Sequence, residues 1–358
     1  MANFKPAEES RIGAIDELRG LAFLAVLASH FGLAYGLDSS FAYSLALPAF
    51  GVGVDLFFVI SGYVVAQSYQ RLTIAAHGDV KRAASAFWLR RGIRIALPAW
   101  TTIIIIAIVR HLSGPVRTDG DLTSASIFVA NFYWAACSRN VVPCPDQLVA
   151  GHFWSLALEM QFYLAAPLLL AAPRRLAWPV SLVIVIFGVI APRPVGGWLW
   201  SLRPEGFLLG LLLRQKPPAL PPMSLALALY WLAVAAIFER IAQRGPSGFG
   251  LTIVALIFAF VLAGRLTAST SPHWGAALLR GIGRFSYAAY LVHLPALTAV
   301  RDLTLSRIGP GFSMLAAAIA ILVLSVVADL LIVRPAARLS RRVSNGFIIT
   351  NCVFLEVA

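Results

Sequence analysis

Charge is what this 358-residue chain has least of. Asp, Glu, Lys and Arg together make up 13% of it, and only 16 residues are acidic. A soluble domain carries about 25% charged residues. Apolar residues fill 59% of the chain, which excludes intrinsic disorder and exceeds what a soluble core can bury. Cysteine is scarce too, with three in the whole chain. No Cys or His pair has zinc-ligand spacing on a shared loop, so no metal is expected. The alternating segments of a membrane β-barrel are missing. No cleavable signal peptide is expected, because "MANFKPAEESRIGAIDE" is polar and partly acidic. No internal repeat stands out. "GVGVD" at 51–55 precedes an apolar run with no strand before it, so it is not a dinucleotide fingerprint. "ISGYV" around Ser61 lacks the glycine two residues before the serine that a nucleophile elbow needs.

What is present is a series of apolar runs near the length of about 20 residues that a membrane helix requires. They predict an all-α, polytopic transmembrane bundle of about ten spans. These are 18–36, 48–69, 92–110, 151–171, 178–192, 197–214, 223–240, 250–268, 283–302 and 312–333. With both termini cytoplasmic, most of the 29 Lys and Arg residues fall on the inner side, as the positive-inside rule requires. That bias accounts for the net charge of +13 without a nucleic-acid partner. The chain then divides into a cytoplasmic lead (1–16), a ten-helix membrane domain (17–335) and a cytoplasmic tail (336–358). The expected location is a bacterial inner membrane.

Ionisable groups inside spans are costly and mark function by default. At about 1.5 Å per residue, His30, Asp55, Glu159 and His293 all fall roughly 10–20 Å from a membrane face. Four helices therefore bring ionisable groups to a similar depth. Each has a plainer reading: His30 and His293 as packing histidines, Asp55 as a cap, Glu159 as a helix-contact residue. As a layer, they suggest an imidazole base with a carboxylate partner. At the cytoplasmic mouth, "FWLRRGIRIALPAW" places Arg90, Arg91 and Arg94 together, and Arg19 opens the first helix on the same side. Positive-inside anchoring explains such arginines, and so does a phosphate clamp. The longest connection, 111–150, is expected outside and holds Cys137 and Cys144. Seven apart in an oxidising compartment, they are candidates for a disulfide.

Five segments carry a family likeness: "LRGLAFLAVLASH", "GVGVDLFFVISGYVV", "FWLRRGIRIALPAW", "HFWSLALEMQFYLAAPLLL" and "IGRFSYAAYLVHLP". In this order they resemble the motifs of the membrane acyltransferase-3 family. The resemblance rests on Arg19 and His30, Asp55 and Ser61, and the three arginines. It continues through Trp154, Ser155, Glu159, Phe162 and Tyr163, then Ser286, Tyr287, Tyr290 and His293. It implies an integral membrane O-acyltransferase that moves an acyl group, often acetyl from acetyl-CoA, to a hydroxyl of a carbohydrate or glycolipid. Acetyl-CoA is then a co-substrate, and no cofactor is permanently bound. Some family members carry an extra hydrolase-like domain outside the membrane; none is expected here.

On this reading Arg19, Arg90, Arg91 and Arg94 hold the donor's phosphates, and His30 is the general base. Glu159 or Asp55 orients the imidazole. Ser61, Tyr290 or His293 bonds the oxyanion or the acceptor. Direct transfer and an acyl-His30 intermediate both remain open. The rival class is a secondary transporter or flippase with a charged site at mid-depth.

Overall fold

The computed structural model describes residues 4–36, 51–113, 120–145, 149–194, 196–244, 249–269 and 273–356. Residues 48–50 of the expected second span lie outside them. Among the described residues the chain is helical, with no β-strand. The helices are α1 (Phe4–Tyr35), α2 (Gly53–Ala75), α3 (Val80–Arg91), α4 (Leu97–Ser113), α5 (Gly120–Ser126), α6 (Ala130–Cys137) and α7 (Phe153–Ala171). They continue as α8 (Arg174–Ile190), α9 (Pro204–Gln215), α10 (Leu225–Arg244), α11 (Phe249–Thr267), α12 (Trp274–Ala328) and α13 (Arg334–Glu356). Two π-turns, Gly92–Ala96 and Asp329–Val333, join α3 to α4 and α12 to α13 without a break. Inside α12, Gly309 takes φ 74° and Pro310 follows it. A left-handed residue beside one that lacks an N–H divides the helix into two arms.

Among the described residues, five helical stretches are long and apolar enough to cross a membrane: Ile12–Tyr35, Val80–Leu112, Phe153–Ala171, Phe249–Thr267 and Trp274–Ile348. Large apolar side chains stay exposed on them and on α8, among them Ile104, Ile105 and Ile108, Val183 and Phe187, and Ile319 and Leu322. A water-facing monomer does not leave such belts uncovered. Each of the ten expected segments coincides with a helix in whole or in part. The poorest match is 197–214. Residues 197–203 form turns, and α9 has only 12 residues, about 18 Å of helix. Gly196 with φ 75° and Pro204 at the first helical turn explain the late start. The segments expected as lead and tail are largely helical as well, within α1 and α13.

Close helix approach depends on glycine. A Cβ on Gly62 of α2 would strike the Phe207 carbonyl of α9, and one on Gly210 of α9 would strike the Val59 carbonyl of α2. The two backbones therefore touch, as small residues permit where lipid supplies no hydrophobic drive. α1 lies along the first arm of α12 in the same way, with Gly283 against the Asp16 carbonyl.

Much of the buried charge is paired. Glu17, fully buried, binds Arg265 and lies 2.6 Å from Arg280. Asp55 binds Arg203 at 2.8 Å, and Arg203 reaches Glu239 at 3.4 Å. Arg193 binds Glu205 at 2.6 Å close by. The Arg203 guanidinium also lies over the rings of Trp200 (4.5 Å) and Trp154 (5.6 Å). Cys137 and Cys144 form a disulfide.

Two outcomes follow from this packing. Asp55→Ala leaves Arg203 short of its best partner in a buried site and should lower stability by about 3–5 kcal/mol. Thermal unfolding in detergent measures this; an unchanged midpoint would detach Asp55 from the scaffold. Gly62→Leu should destabilise by at least about 1–3 kcal/mol through overpacking of α2 on α9, read by the same assay.

Candidate active site

Three imidazoles meet in the bundle, from α1, α12 and the residue just before α7. His30 Nδ1 lies 3.0 Å from the Val26 carbonyl and 3.3 Å from His293 Nε2. A carbonyl oxygen only accepts, so the proton belongs on His30 Nδ1. His293 Nδ1 lies 2.7 Å from the Tyr290 carbonyl, so it too carries its proton there. Its Nε2 then presents a lone pair to His30. His152 is arranged the other way round: Nε2 lies 3.2 Å from the Leu291 carbonyl. Its buried Nδ1 has no hydrogen-bond partner among the described residues. The His152 and His293 rings are 5.1 Å apart, and those of His30 and His293 are 4.9 Å apart. Three backbone carbonyls thus fix three tautomers, and His30 is left with its lone pair on Nε2. No group of acids, cysteines and histidines among the described residues has metal-binding geometry.

The expected carboxylate partner of His30 is not there. Asp55 pairs with Arg203 rather than with an imidazole. Glu159 accepts from Ser61 Oγ at 2.5 Å and from the Tyr163 hydroxyl. Both acids are already engaged, and His293 fills the orienting position instead. Ser61 is accordingly a ligand of Glu159. Tyr290 donates to the His152 carbonyl at 2.8 Å and contacts Ser155 Oγ. It braces the cluster through the backbone.

These contacts form a polar column. On α7 and the residue before it, His152, Ser155, Glu159 and Tyr163 follow spacings of three, four and four, so they share one helix face. Tyr287, Tyr290 and His293 do the same at spacings of three on α12. The column runs about 16 Å along α7. At its far end the Arg91 guanidinium lies over the Tyr163 ring at 5.1 Å. Tyr287 donates to the Ile95 carbonyl at 2.7 Å. That carbonyl belongs to the π-turn, where the shifted ladder alters backbone bonding and such turns often mark functional sites.

Beyond Tyr163 opens a cavity of about 150 Å³ lined by Gln67, Ser68, Arg71, Arg90, Arg91 and Arg94. Arg91 is buried, Arg90 half-buried and Arg94 exposed. Arg19 stands within electrostatic reach of Arg91, Glu159 and Tyr163. All four expected phosphate-binding arginines therefore gather at one end of the column, with His30 and His293 at the other. His152, Ser155, Tyr163 and Tyr287 were not assigned roles from the sequence. The repeated three-and-four spacing from His152 onward is the signal that could have found them.

Comparison with known proteins places the chain in a family. The chain is 25% identical over 328 residues to a "Putative O-acetyltransferase" of Staphylococcus aureus (strain COL), covering 81% of this chain and 51% of the relative. It is 26% identical over 335 residues to "Peptidoglycan O-acetyltransferase OatA" of Listeria monocytogenes, covering 80% and 49%. The chain spans about half the length of these curated relatives. No solved structure matches it. The family model described as "Acyltransferase domain" matches residues 12–334, nearly the whole of the described bundle, and the chain belongs to the acyltransferase-3 family.

Proposed function

We propose that this chain is a multi-pass O-acyltransferase of a bacterial inner membrane, moving acetyl from acetyl-CoA to a carbohydrate hydroxyl. The observation that carries the reading is the His30 tautomer. Its Nδ1 proton is spoken for by Val26 and His293, which leaves Nε2 as a base at the end of the column remote from the arginines. The ten-span arrangement with both termini cytoplasmic puts the arginine cavity at the cytoplasmic face, where acetyl-CoA is found. The Cys137–Cys144 disulfide favours an oxidising exterior for the loop that holds it. The names of the relatives favour acetyl as the group moved and a glycan as the acceptor.

In this scheme the donor's phosphates bind Arg90, Arg91, Arg94 and Arg19, and its thioester arm follows the polar column inward. His30 Nε2 takes the proton of the acceptor hydroxyl, and that oxygen attacks the thioester carbonyl carbon. The tetrahedral intermediate collapses with cleavage of the carbon–sulfur bond. The CoA thiolate leaves and recovers the proton from His30 Nε2. His293 Nε2 orients the imidazolium by accepting a hydrogen bond from its Nδ1–H, the position the acid occupies in a triad. Glu159 acts as a positioning residue: it holds Ser61 and Tyr163 and offsets the charge of Arg19 and Arg91. Asp55 belongs to the scaffold.

His30→Ala should lower acetyl transfer by about 10²–10⁴-fold, the usual worth of a positioned general base, with the protein still folded. Retained turnover would end the assignment. His293→Leu should lower kcat with little change in KM, and His293→Gln should recover part of it, because an amide oxygen can also accept from His30 Nδ1. Equal losses in both variants would contradict an orienting role. The assay is acceptor-dependent release of CoA from acetyl-CoA by the purified chain, with soluble glycan fragments as acceptors.

A further inference from the structure

α13 continues from α12 through the Asp329–Val333 π-turn, and the composition changes at once. Arg334, Arg338, Arg341 and Arg342 fall within a few turns of one another, and the chain has no acid between Asp329 and Glu356. Charge of that density does not lie in hydrocarbon. Helical spacing sorts the residues of α13 into three stripes. Ala336, Ser340, Ser344 and Ile348 recur at every fourth position and are buried. On that side α13 packs along α3 and the Gly92–Ala96 π-turn. Arg338, Arg341 and Arg342 share a second stripe, which is exposed. Leu339 and Val343, one turn apart, form the third and are 46% and 37% exposed.

Two features say what covers the outer stripes. The first is charge. Arg334 binds Asp329 at 2.6 Å. Among the described residues Arg338, Arg341 and Arg342 have no carboxylate at ion-pair distance. The neighbouring α3 supplies none, because its residues are basic, apolar or neutral throughout. The second feature is continuity with the lipid-facing belt. Exposed apolar side chains recur along the second arm of α12 and its π-turn, at Val323, Val327, Leu330 and Leu331. They reappear on α13 as Leu339 and Val343. Positive-inside anchoring needs only charge on one side of the membrane. Here a basic stripe runs beside an apolar one on a helix whose third face is fixed to the bundle. That is the pattern of a helix seated at the headgroup boundary.

We infer that the exposed face of α13 is a binding site for anionic phospholipids. Arg338, Arg341 and Arg342 contact the headgroups, and Leu339 and Val343 enter the acyl boundary. The inference rests on the membrane reading of the chain and is independent of its acyl chemistry. Guanidinium forks suit phosphate oxygens. A basic cluster directly after a spanning helix also gathers anionic lipid around it. Zwitterionic lipid carries phosphate too, so the arginines select for net negative charge.

Fluorescence quenching of the full chain in nanodiscs tests this. Gly346→Cys, in a Cys352→Ser background, carries the fluorophore. Gly346 lies on the apolar stripe, and a Cβ there meets nothing. Cys137 and Cys144 are held in their disulfide and do not label. Brominated phosphatidylglycerol and brominated phosphatidylcholine should both quench. Phosphatidylglycerol should bind at least about fivefold more tightly at low salt, the worth of one arginine at an anionic surface. The preference should shrink as salt is raised to about 1 M. Replacing Arg338, Arg341 and Arg342 together by Gln should bring it to about one, with the thermal midpoint unchanged; replacing them by Lys should keep most of it. No quenching by either lipid puts this face in water and overturns the inference. Equal binding of the two lipids by the wild-type arginines does the same, and so does a preference that survives the triple Gln substitution. The same label at Ile319→Cys, on the exposed belt of α12, separates the two readings. Quenching at Ile319→Cys but not at Gly346→Cys removes only the inference, whereas quenching at neither removes the membrane reading with it.

Discussion

Every polar group carried into a bilayer has to find its partner inside the protein, because hydrocarbon offers none. That constraint organises this bundle. Glu17 is bound by Arg265 and Arg280, and Asp55 by Arg203. Each pair ties together helices that are distant in sequence, α1 with α11 and α12, and α2 with the turn before α9. The same constraint singles out the groups left incomplete. Among the described residues His30 Nε2, His152 Nδ1 and the guanidinium groups of Arg90, Arg91 and Arg94 have no hydrogen-bond partner. Those groups stand at the two ends of one polar column.

The column converts helix geometry into a separation of tasks. Arg19 and His30 are eleven residues apart on α1, about 16.5 Å along its axis, and α7 spans a matching length from Tyr163 to His152. One end of the bundle can therefore hold a charged donor while the other handles its reactive group. The contacts between are graded in kind, from guanidinium over ring to carboxylate, hydroxyl and imidazole. Glycine contacts between α1 and α12 and between α2 and α9 keep the flanking helices close enough for these short polar links to form.

Much of this was legible in the sequence. Apolar run length gives the helical membrane class, and the depth of His30 and His293 gives their meeting. The run of arginines at 90–94 gives the cavity, and the seven-residue spacing of Cys137 and Cys144 gives the disulfide. What sequence depth cannot supply is direction around a helix once helices tilt and break. Asp55 and Glu159 have the right depth but face other partners, so the carboxylate expected beside His30 is an imidazole. The π-turn at Gly92–Ala96 shifts the face on which Arg94 and Ile95 lie, and no composition rule announces it. The short α9 reads as a span because turn residues before it are apolar. Arg265 and Arg280 neutralise the buried Glu17, a pairing that a count of charge by membrane side does not reveal.

The central claim is that backbone carbonyls set His30 with its proton on Nδ1 and its lone pair on Nε2. Nitrogen NMR of the chain labelled with ¹⁵N-histidine, reconstituted in nanodiscs and assigned by comparison with His30→Ala, measures this directly. The account predicts a protonated, pyrrole-type Nδ1 and an unprotonated, pyridine-type Nε2 for His30 at neutral pH. A proton found on Nε2 instead would contradict it.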